Sequence, residues 1–94
     1  MTERQLQDCV MGAARLLGWS AYHTWLSRHS APGFPDLILV RAGRLLAVEL
    51  KSATGRLSAH QEHWLGVLGA VPGVACHVWR PADWLDGTIE RALR

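Results

Sequence analysis

The sequence predicts an α/β fold with the element order αβββαβα, in which a mixed central sheet is flanked by helices. The first observation is a pair of capping motifs, T-x-x-Q at residues 2–5 and S-x-x-Q at residues 58–61, each followed by apolar residues at helical spacing. Motifs of this kind mark helix starts. The second observation is a set of short runs rich in aliphatic and aromatic residues and bounded by Gly, Pro and polar residues, which are typical of strands.

The boundaries of the individual elements are marked by caps, glycines and prolines. The first helix is predicted over residues 3–17, because Gly18 is a natural stop at its C-terminus. The second helix begins after Ser58 and ends before Pro72, and a last helical stretch begins near Pro81. Strands are predicted at residues 19–25, 36–41, 44–51 and 74–79. A helix joins the third and fourth strands, so this connection suits a parallel, right-handed crossover.

Length and composition favour one domain, residues 1–94, with one small core. Of its 94 residues, 49% are apolar, which is enough for a single compact core. The net charge of +2 permits contact with nucleic acid without requiring it. No apolar run approaches the roughly 18 residues that a membrane span needs, so no membrane contact is expected. Cys9 and Cys76 are isolated and no secretory signal is visible, so we expect free thiols in a reducing, cytoplasmic compartment.

The most informative segment is a predicted hairpin, in which two strands meet at an Ala-Gly turn at residues 42–43. Side chains alternate along a strand, so Glu49 and Lys51 share one face near the end of the second strand. Pairing outward from the turn places Asp36, at the start of the first strand, opposite residues 49–50. The sequence therefore predicts that two carboxylates and the only lysine of the chain meet at one end of the sheet.

This combination of charged groups favours metal-assisted hydrolysis of a phosphodiester. Close carboxylates repel each other and favour a divalent cation between them. Carboxylate oxygens, joined by a backbone carbonyl, suit Mg²⁺ or Mn²⁺, and such a cation binds a phosphate oxygen and lowers the pKa of a bound water. Lys51 can orient or deprotonate that water, or stabilise the charge that develops on the phosphate.

Three motifs give the chain a family resemblance. G-F-P-D at residues 33–36, E-L-K at residues 49–51 and S-A-H-Q at residues 58–61 resemble the PD-(D/E)XK nuclease superfamily. Over essentially its whole length, the chain is similar to a stand-alone VRR-NUC domain of the kind found in phages and bacteria. The resemblance implies a restriction-endonuclease-like core within the predicted αβββαβα order.

The resemblance also implies roles for single residues. Asp36 and Glu49 would be the metal ligands, with the backbone carbonyl of Leu50 as a third ligand, and Lys51 would be the catalytic lysine. Gln61 would lie beside the site and contact the water or the substrate.

Each implied role has a structural alternative. Asp36 alone fits ordinary strand-entry chemistry, and Glu49 with Lys51 fits an exposed pair on an edge strand, which contributes little. The three residues together favour the metal site. Gln61 also fits the capping box at the start of the second helix, and both roles can coexist. Glu3, on the first helix, would reach the metal through a water molecule. The alternative for Glu3 is a favourable negative charge at a helix N-terminus.

Taken together, the resemblance implies a Mg²⁺- or Mn²⁺-dependent endonuclease. Its substrate would be DNA, duplex or branched and including Holliday junctions, and it would act as a homodimer in the cytoplasm of a bacterium or a phage-infected cell. One alternative is a non-catalytic module that binds nucleic acid, against which the presence of Asp36, Glu49 and Lys51 argues. Another is a subunit of a larger DNA-processing complex, in which the tryptophans form a partner surface.

Several residues near these motifs are candidate contacts to nucleic acid. They are His23, Arg28, His29, Ser30, Gly33 and Arg56. The alternatives are a solvated charge for the loop residues, an ordinary strand residue for His23, and a sharp turn or close backbone approach for Gly33. A zinc site is not favoured, because His60 and His63 lack a third ligand at convincing spacing. The five tryptophans are predicted to be core or dimer contacts rather than platforms for base stacking.

Overall fold

The chain forms a four-stranded mixed sheet with helices on both sides. We analysed it as a computed structural model, which describes residues 1–25 and 31–94; the predicted contacts Arg28, His29 and Ser30 lie outside these residues. The elements are α1 (Glu3–Leu16), β1 (Ser20–His23), β2 (Leu37–Arg41), β3 (Arg44–Leu50), α2 (Ala59–Gly69), β4 (Val74–Trp79), α3 (Pro81–Leu85) and α4 (Thr88–Leu93). In the described part of the chain, no helix has the length and apolar character to cross a membrane.

The strands lie in the order β1-β2-β3-β4, so neighbours in sequence are also neighbours in the sheet. The first three strands are antiparallel, and β4 runs parallel to β3 after the crossover through α2. Ala42 and Gly43 have φ angles of +49° and +76°, and two left-handed residues form the tight turn that suits a twisted hairpin. This turn pairs Arg41 with Arg44 and, further out, Leu37 with Val48. The predicted hairpin and its register are confirmed.

The core lies between one face of the sheet and the helices α1 and α4. Alternate residues of β2 and β3 point to this face, as expected for strands with one buried side. The buried apolar side chains include Leu6, Val10, Ala14, Trp19, Leu37, Leu39, Leu46, Val48, Leu50, Trp79, Ile89 and Leu93. The indole Nε1 of Trp19 donates a hydrogen bond to the carbonyl of Leu93 at 2.8 Å, which satisfies the polar atom of a buried aromatic ring.

The opposite face of the sheet is only partly covered. α2 packs mainly on β4 and β3, and none of its residues is fully buried. On β1 and β2, the side chains of Tyr22, Ile38 and Val40 share this face by strand alternation and register. Tyr22 and Val40 are exposed, at 58% and 41%. We call these three residues the open sheet face.

Three features differ from the expectations drawn from sequence. The sequence predicts the first strand over residues 19–25, whereas β1 spans only Ser20–His23. The last helical stretch is divided into α3 and α4, because Gly87 adopts a φ of +85°, which a helix cannot continue through. Leu85, at the end of α3, is consequently 78% exposed. The tryptophans also differ among themselves: Trp19 and Trp79 are buried in the core, whereas Trp25 is 71% exposed.

Candidate functional site

The hairpin brings the predicted acidic residues and the lysine to one edge of the sheet. Asp36 directly precedes β2, and its Oδ2 accepts a hydrogen bond from the backbone N–H of Leu50 at 2.7 Å. That bond fixes the carboxylate of Asp36 against the end of β3. Together with neighbouring residues, these groups line a cleft of about 380 Å³. Its lining is formed by Glu3, Arg4, Gln7, Thr24, Asp36, Glu49, Leu50, Lys51 and Gln61.

Glu49 is the only buried charged residue in the described part of the chain, with 2% of its surface exposed. Its Oε1 accepts a hydrogen bond from Gln61, but its Oε2 is buried and has no hydrogen-bond partner within residues 1–25 and 31–94. Burial, the close approach of the Asp36 carboxyl group and the charge of Asp36 together raise the pKa of Glu49 to about 9. The ammonium of Lys51 acts in the opposite direction.

The acidic pair fits a divalent cation. A hydrogen bond between the two carboxyl groups requires a proton on one of them. When both groups are ionised, the charge of Asp36 only repels Oε2 of Glu49. A bound cation would satisfy that oxygen and offset both charges. Within residues 1–25 and 31–94, no three His, Cys, Asp or Glu side chains converge closely enough to hold a metal. A cation here would therefore need other oxygens, such as the Leu50 carbonyl and water.

Gln61 uses the two ends of its amide for two purposes. Its Oε1 accepts a hydrogen bond from the backbone N–H of Ser58 at 2.9 Å, and its own backbone N–H donates to the Ser58 hydroxyl at 3.1 Å. Its Nε2 donates to Oε1 of Glu49 at 3.2 Å. The capping box therefore orients the amide so that its N–H₂ group faces the acidic residue. The cap and the contact with the site coexist.

Gly33 is placed by close packing against the start of α2. Its φ is +85°, and a Cβ at this position would lie 2.4 Å from the carbonyl carbon of His60 and 2.6 Å from the backbone nitrogen of Gln61. Only glycine fits such an approach. The G-x-P-D motif therefore has a packing role, and contact between Gly33 and nucleic acid stays a prediction.

The other predicted residues differ in whether they line the cleft. Glu3 lines the cleft, and its charge contributes to raising the pKa of Glu49. Arg56 is exposed in the loop after Lys51. His23 is half-buried at the end of β1 and lines a neighbouring groove rather than the cleft itself. The roles of these three residues toward metal or substrate stay predictions.

Two residues that support the site were missed by sequence reasoning. Thr24 donates its backbone N–H to the carbonyl of Asp36 and its hydroxyl to the carbonyl of Pro35, both at 2.8 Å. Arg80 donates from one guanidinium nitrogen to the carbonyls of Ser52 and Gly55, both at 2.7 Å, and so holds the loop that follows Lys51. These bonds join residues far apart in sequence, and neither residue belongs to a recognisable motif.

Known proteins are similar to this chain in sequence pattern and in fold. Residues 2–79 match the family model described as the VRR-NUC domain. A solved structure described as a VRR_NUC domain protein is 20% identical, with a TM-score of 0.73, and the match covers 100% of this chain and 91% of that one.

The Holliday junction resolvase Hjc of Archaeoglobus fulgidus, an archaeal hyperthermophile, is 24% identical, with a TM-score of 0.54. That match covers 84% of this chain, which spans 65% of the resolvase. Likeness at these identities shows a shared fold. No protein of curated function matches the sequence.

Proposed function

Because this chain belongs to the VRR-NUC domain family, whose members are nucleases, we propose that it is a Mg²⁺- or Mn²⁺-dependent endonuclease acting on DNA. The observation that supports this most directly is the buried Oε2 of Glu49, which lies beside a second carboxylate and has no hydrogen-bond partner among the residues that the structure describes. Such a buried acidic pair is tolerated in a folded protein when a bound ligand satisfies its oxygens and offsets its charge. As one domain of residues 1–94, the protein would act in the cytoplasm of a bacterium or a phage-infected cell.

The residues that would hold the cation are those at the end of the hairpin. Asp36 and Glu49 would each supply a carboxylate oxygen, Leu50 its backbone carbonyl, and Glu3 a contact through water. When bound, the cation supplies a Lewis acid for a phosphate oxygen and a water of lowered pKa. Asp36 is already held in place by the N–H of Leu50, so the ligand set needs little rearrangement.

The neighbouring residues act on the phosphate and on the attacking water. Lys51 is half-buried in the same cleft, where an ammonium stabilises the negative charge that develops on the phosphate oxygens. It also orients the water for attack. Gln61 donates to Oε1 of Glu49, which keeps the other oxygen of that carboxylate free for the cation. Lys51 is a catalytic residue in this scheme, and Gln61 is a positioning residue.

Cleavage assays on point variants test the proposal. Wild-type protein is incubated with labelled duplex, flap and four-way-junction DNA in Mn²⁺, in Mg²⁺ and in EDTA. Asp36→Asn and Lys51→Ala should each lose cleavage by at least about a hundredfold, a typical effect of removing one charge-stabilising group. Glu62→Gln serves as the matched control, because Glu62 is an exposed carboxylate on α2 outside the cleft. Undiminished cleavage by a folded Asp36 or Lys51 variant would contradict the proposal.

We also propose that the enzyme acts on branched DNA as a homodimer joined at the open sheet face. One solved structure with the same fold is a Holliday junction resolvase, and paired cuts across a junction need two sites related by symmetry. Tyr22 and Val40 expose apolar surface on this face, and a second copy would bury it. Equal cleavage rates on junction, flap and duplex would argue against the structural selectivity.

A further inference from the structure

A second groove lies next to the acidic cleft along α1. It has a volume of about 440 Å³, and it shares the residues Arg4, Gln7 and Thr24 with the cleft. The rest of its lining is formed by Asp8, Met11, Arg15, His23 and Trp25. A chain that passes through the cleft can therefore continue directly into this groove.

The groove has an exposed aromatic wall. Trp25 is 71% exposed, and its ring lies 4.6 Å from the ring of His23 at an interplanar angle of 55°. The preceding residue, Thr24, donates hydrogen bonds to the carbonyls of Asp36 and Pro35. These bonds tie the backbone next to Trp25 to the segment that carries Asp36. An indole face in this position offers a platform on which a base can stack.

The floor of the groove is predominantly basic. Arg4 and Arg15 lie on the same side of α1, separated by about 16 Å along the helix axis at 1.5 Å per residue. One carboxylate, Asp8, lies between them and forms an ion pair with Arg4 at 3.8 Å. Both partners of that pair are mostly exposed, at 83% and 70%, so the pair is weak and the guanidinium remains available to a phosphate.

We propose that this groove binds an unpaired nucleotide of the DNA, with its base stacked on Trp25 and nearby phosphates of the same strand on Arg4 and Arg15. The inference rests on the proposed function, because it takes DNA as the ligand of the adjacent cleft. It adds a contact that would distinguish DNA with unpaired bases from a continuous duplex. Bases in a continuous duplex are stacked inside the helix and cannot reach an indole without being extruded. Flaps, splayed arms and single strands present such bases freely.

Equilibrium binding of fluorescent DNA in EDTA tests the groove independently of cleavage. The probes are a short oligothymidylate, a flap and a blunt duplex, and the variants are Trp25→Ala and Trp25→Tyr. Trp25→Ala should weaken binding of the oligothymidylate and the flap about tenfold, the usual loss for one stacked base, and leave duplex binding within about twofold. Trp25→Tyr should restore most of the affinity, because a phenol ring also stacks.

Leu85→Ala is the control variant, since Leu85 is 78% exposed and lines neither the groove nor the cleft. It should bind all three probes like the wild-type protein. A fluorescent adenine analogue in the flap arm, quenched by wild-type protein and not by Trp25→Ala, would confirm stacking directly. No loss with Trp25→Ala, or an equal loss on flap and duplex, would overturn the proposal.

The binding and cleavage results separate the two proposals. If the wild-type protein cuts no DNA but Trp25→Ala still selectively loses the unpaired probes, the groove proposal stands and the nuclease proposal fails. If the DNA is cut and Trp25→Ala binds and cuts every substrate like the wild-type protein, the groove proposal alone fails.

Discussion

At the scale of single residues, ionisation of both carboxyl groups of the buried acidic pair is unfavourable in the absence of a cation. Glu49 is buried beside Asp36, and the raised pKa of about 9 records the cost of ionising it there. The unfolded chain releases this proton near pH 4.5, whereas the folded chain retains it up to a much higher pH. Folding is therefore disfavoured progressively as the pH rises between these two values. A bound cation would remove that cost.

This leads to a prediction for Glu49→Gln, which is neutral at every pH. In EDTA the variant should melt at a higher temperature than the wild-type protein, and the difference should grow as the pH is raised from about 5 to 9. Addition of Mn²⁺ should raise the melting temperature of the wild-type protein more than that of the variant. Calorimetry across this pH range, with Glu62→Gln as control, checks both effects. A variant less stable than wild type at pH 8 in EDTA would contradict them.

At the scale of elements, the start of α2 is part of the site. The same capping box also begins α1, where Thr2 and Gln5 exchange the equivalent two hydrogen bonds. Both boxes satisfy backbone N–H groups that a helix would otherwise leave without partners. The boxes differ in their surroundings, because the amide of Gln61 also reaches Glu49 whereas Gln5 does not line the cleft.

The two boxes provide a matched pair of variants. Gln5→Ala and Gln61→Ala should each lower the free energy of unfolding by about 1 kcal/mol, the usual worth of a cap. In addition, Gln61→Ala should lower kcat about tenfold or more with little change in KM, because Oε1 of Glu49 loses its donor. Urea unfolding and steady-state cleavage measure the two quantities. Equal kcat values for both variants would show that Gln61 acts only as a cap.

At the scale of the whole molecule, the uneven covering of the sheet is the main feature. One face is sealed by α1 and α4, and the other is only partly covered by α2. The apolar residues of the open sheet face are accordingly available to a second copy. Exposed apolar side chains also occur elsewhere, as with Leu16 at 89% and Leu85 at 78%, and these positions provide controls for a test of the interface.

A charge placed on the open sheet face should separate the dimer. Val40→Lys is expected to elute as a monomer and to nick junctions without paired cuts, because a buried, unpaired ammonium opposes association. Leu16→Lys, on the other side of the molecule, should remain dimeric. Light scattering after size exclusion measures the mass. A monomeric wild-type protein, or dissociation by Leu16→Lys alone, would contradict an interface at this face.

Much of the fold and of the acidic site could be predicted from the sequence, because the signals are local. The turn at residues 42–43 fixes the register of the hairpin, and the register places Asp36 beside Glu49. The support given by Arg80 and Thr24 could not be predicted, since those bonds depend on tertiary proximity. Nor does the sequence show which tryptophans are exposed. The 71% exposure of Trp25 contradicts the prediction of a core contact there, and a dimer contact at Trp25 stays a prediction.

The close approach of Gly33 to α2 affects how a mutational scan of this chain would be interpreted. Any side chain at position 33 would collide with the backbone of His60 and Gln61. The collision would move the whole first turn of α2, and with it the amide that faces Glu49. Position 33 would then tolerate substitution as poorly as the acidic residues, although it touches no reacting group. Loss of function on substitution of Gly33 would therefore reflect disturbed packing between a loop and a helix, and not the loss of a catalytic or metal-binding group.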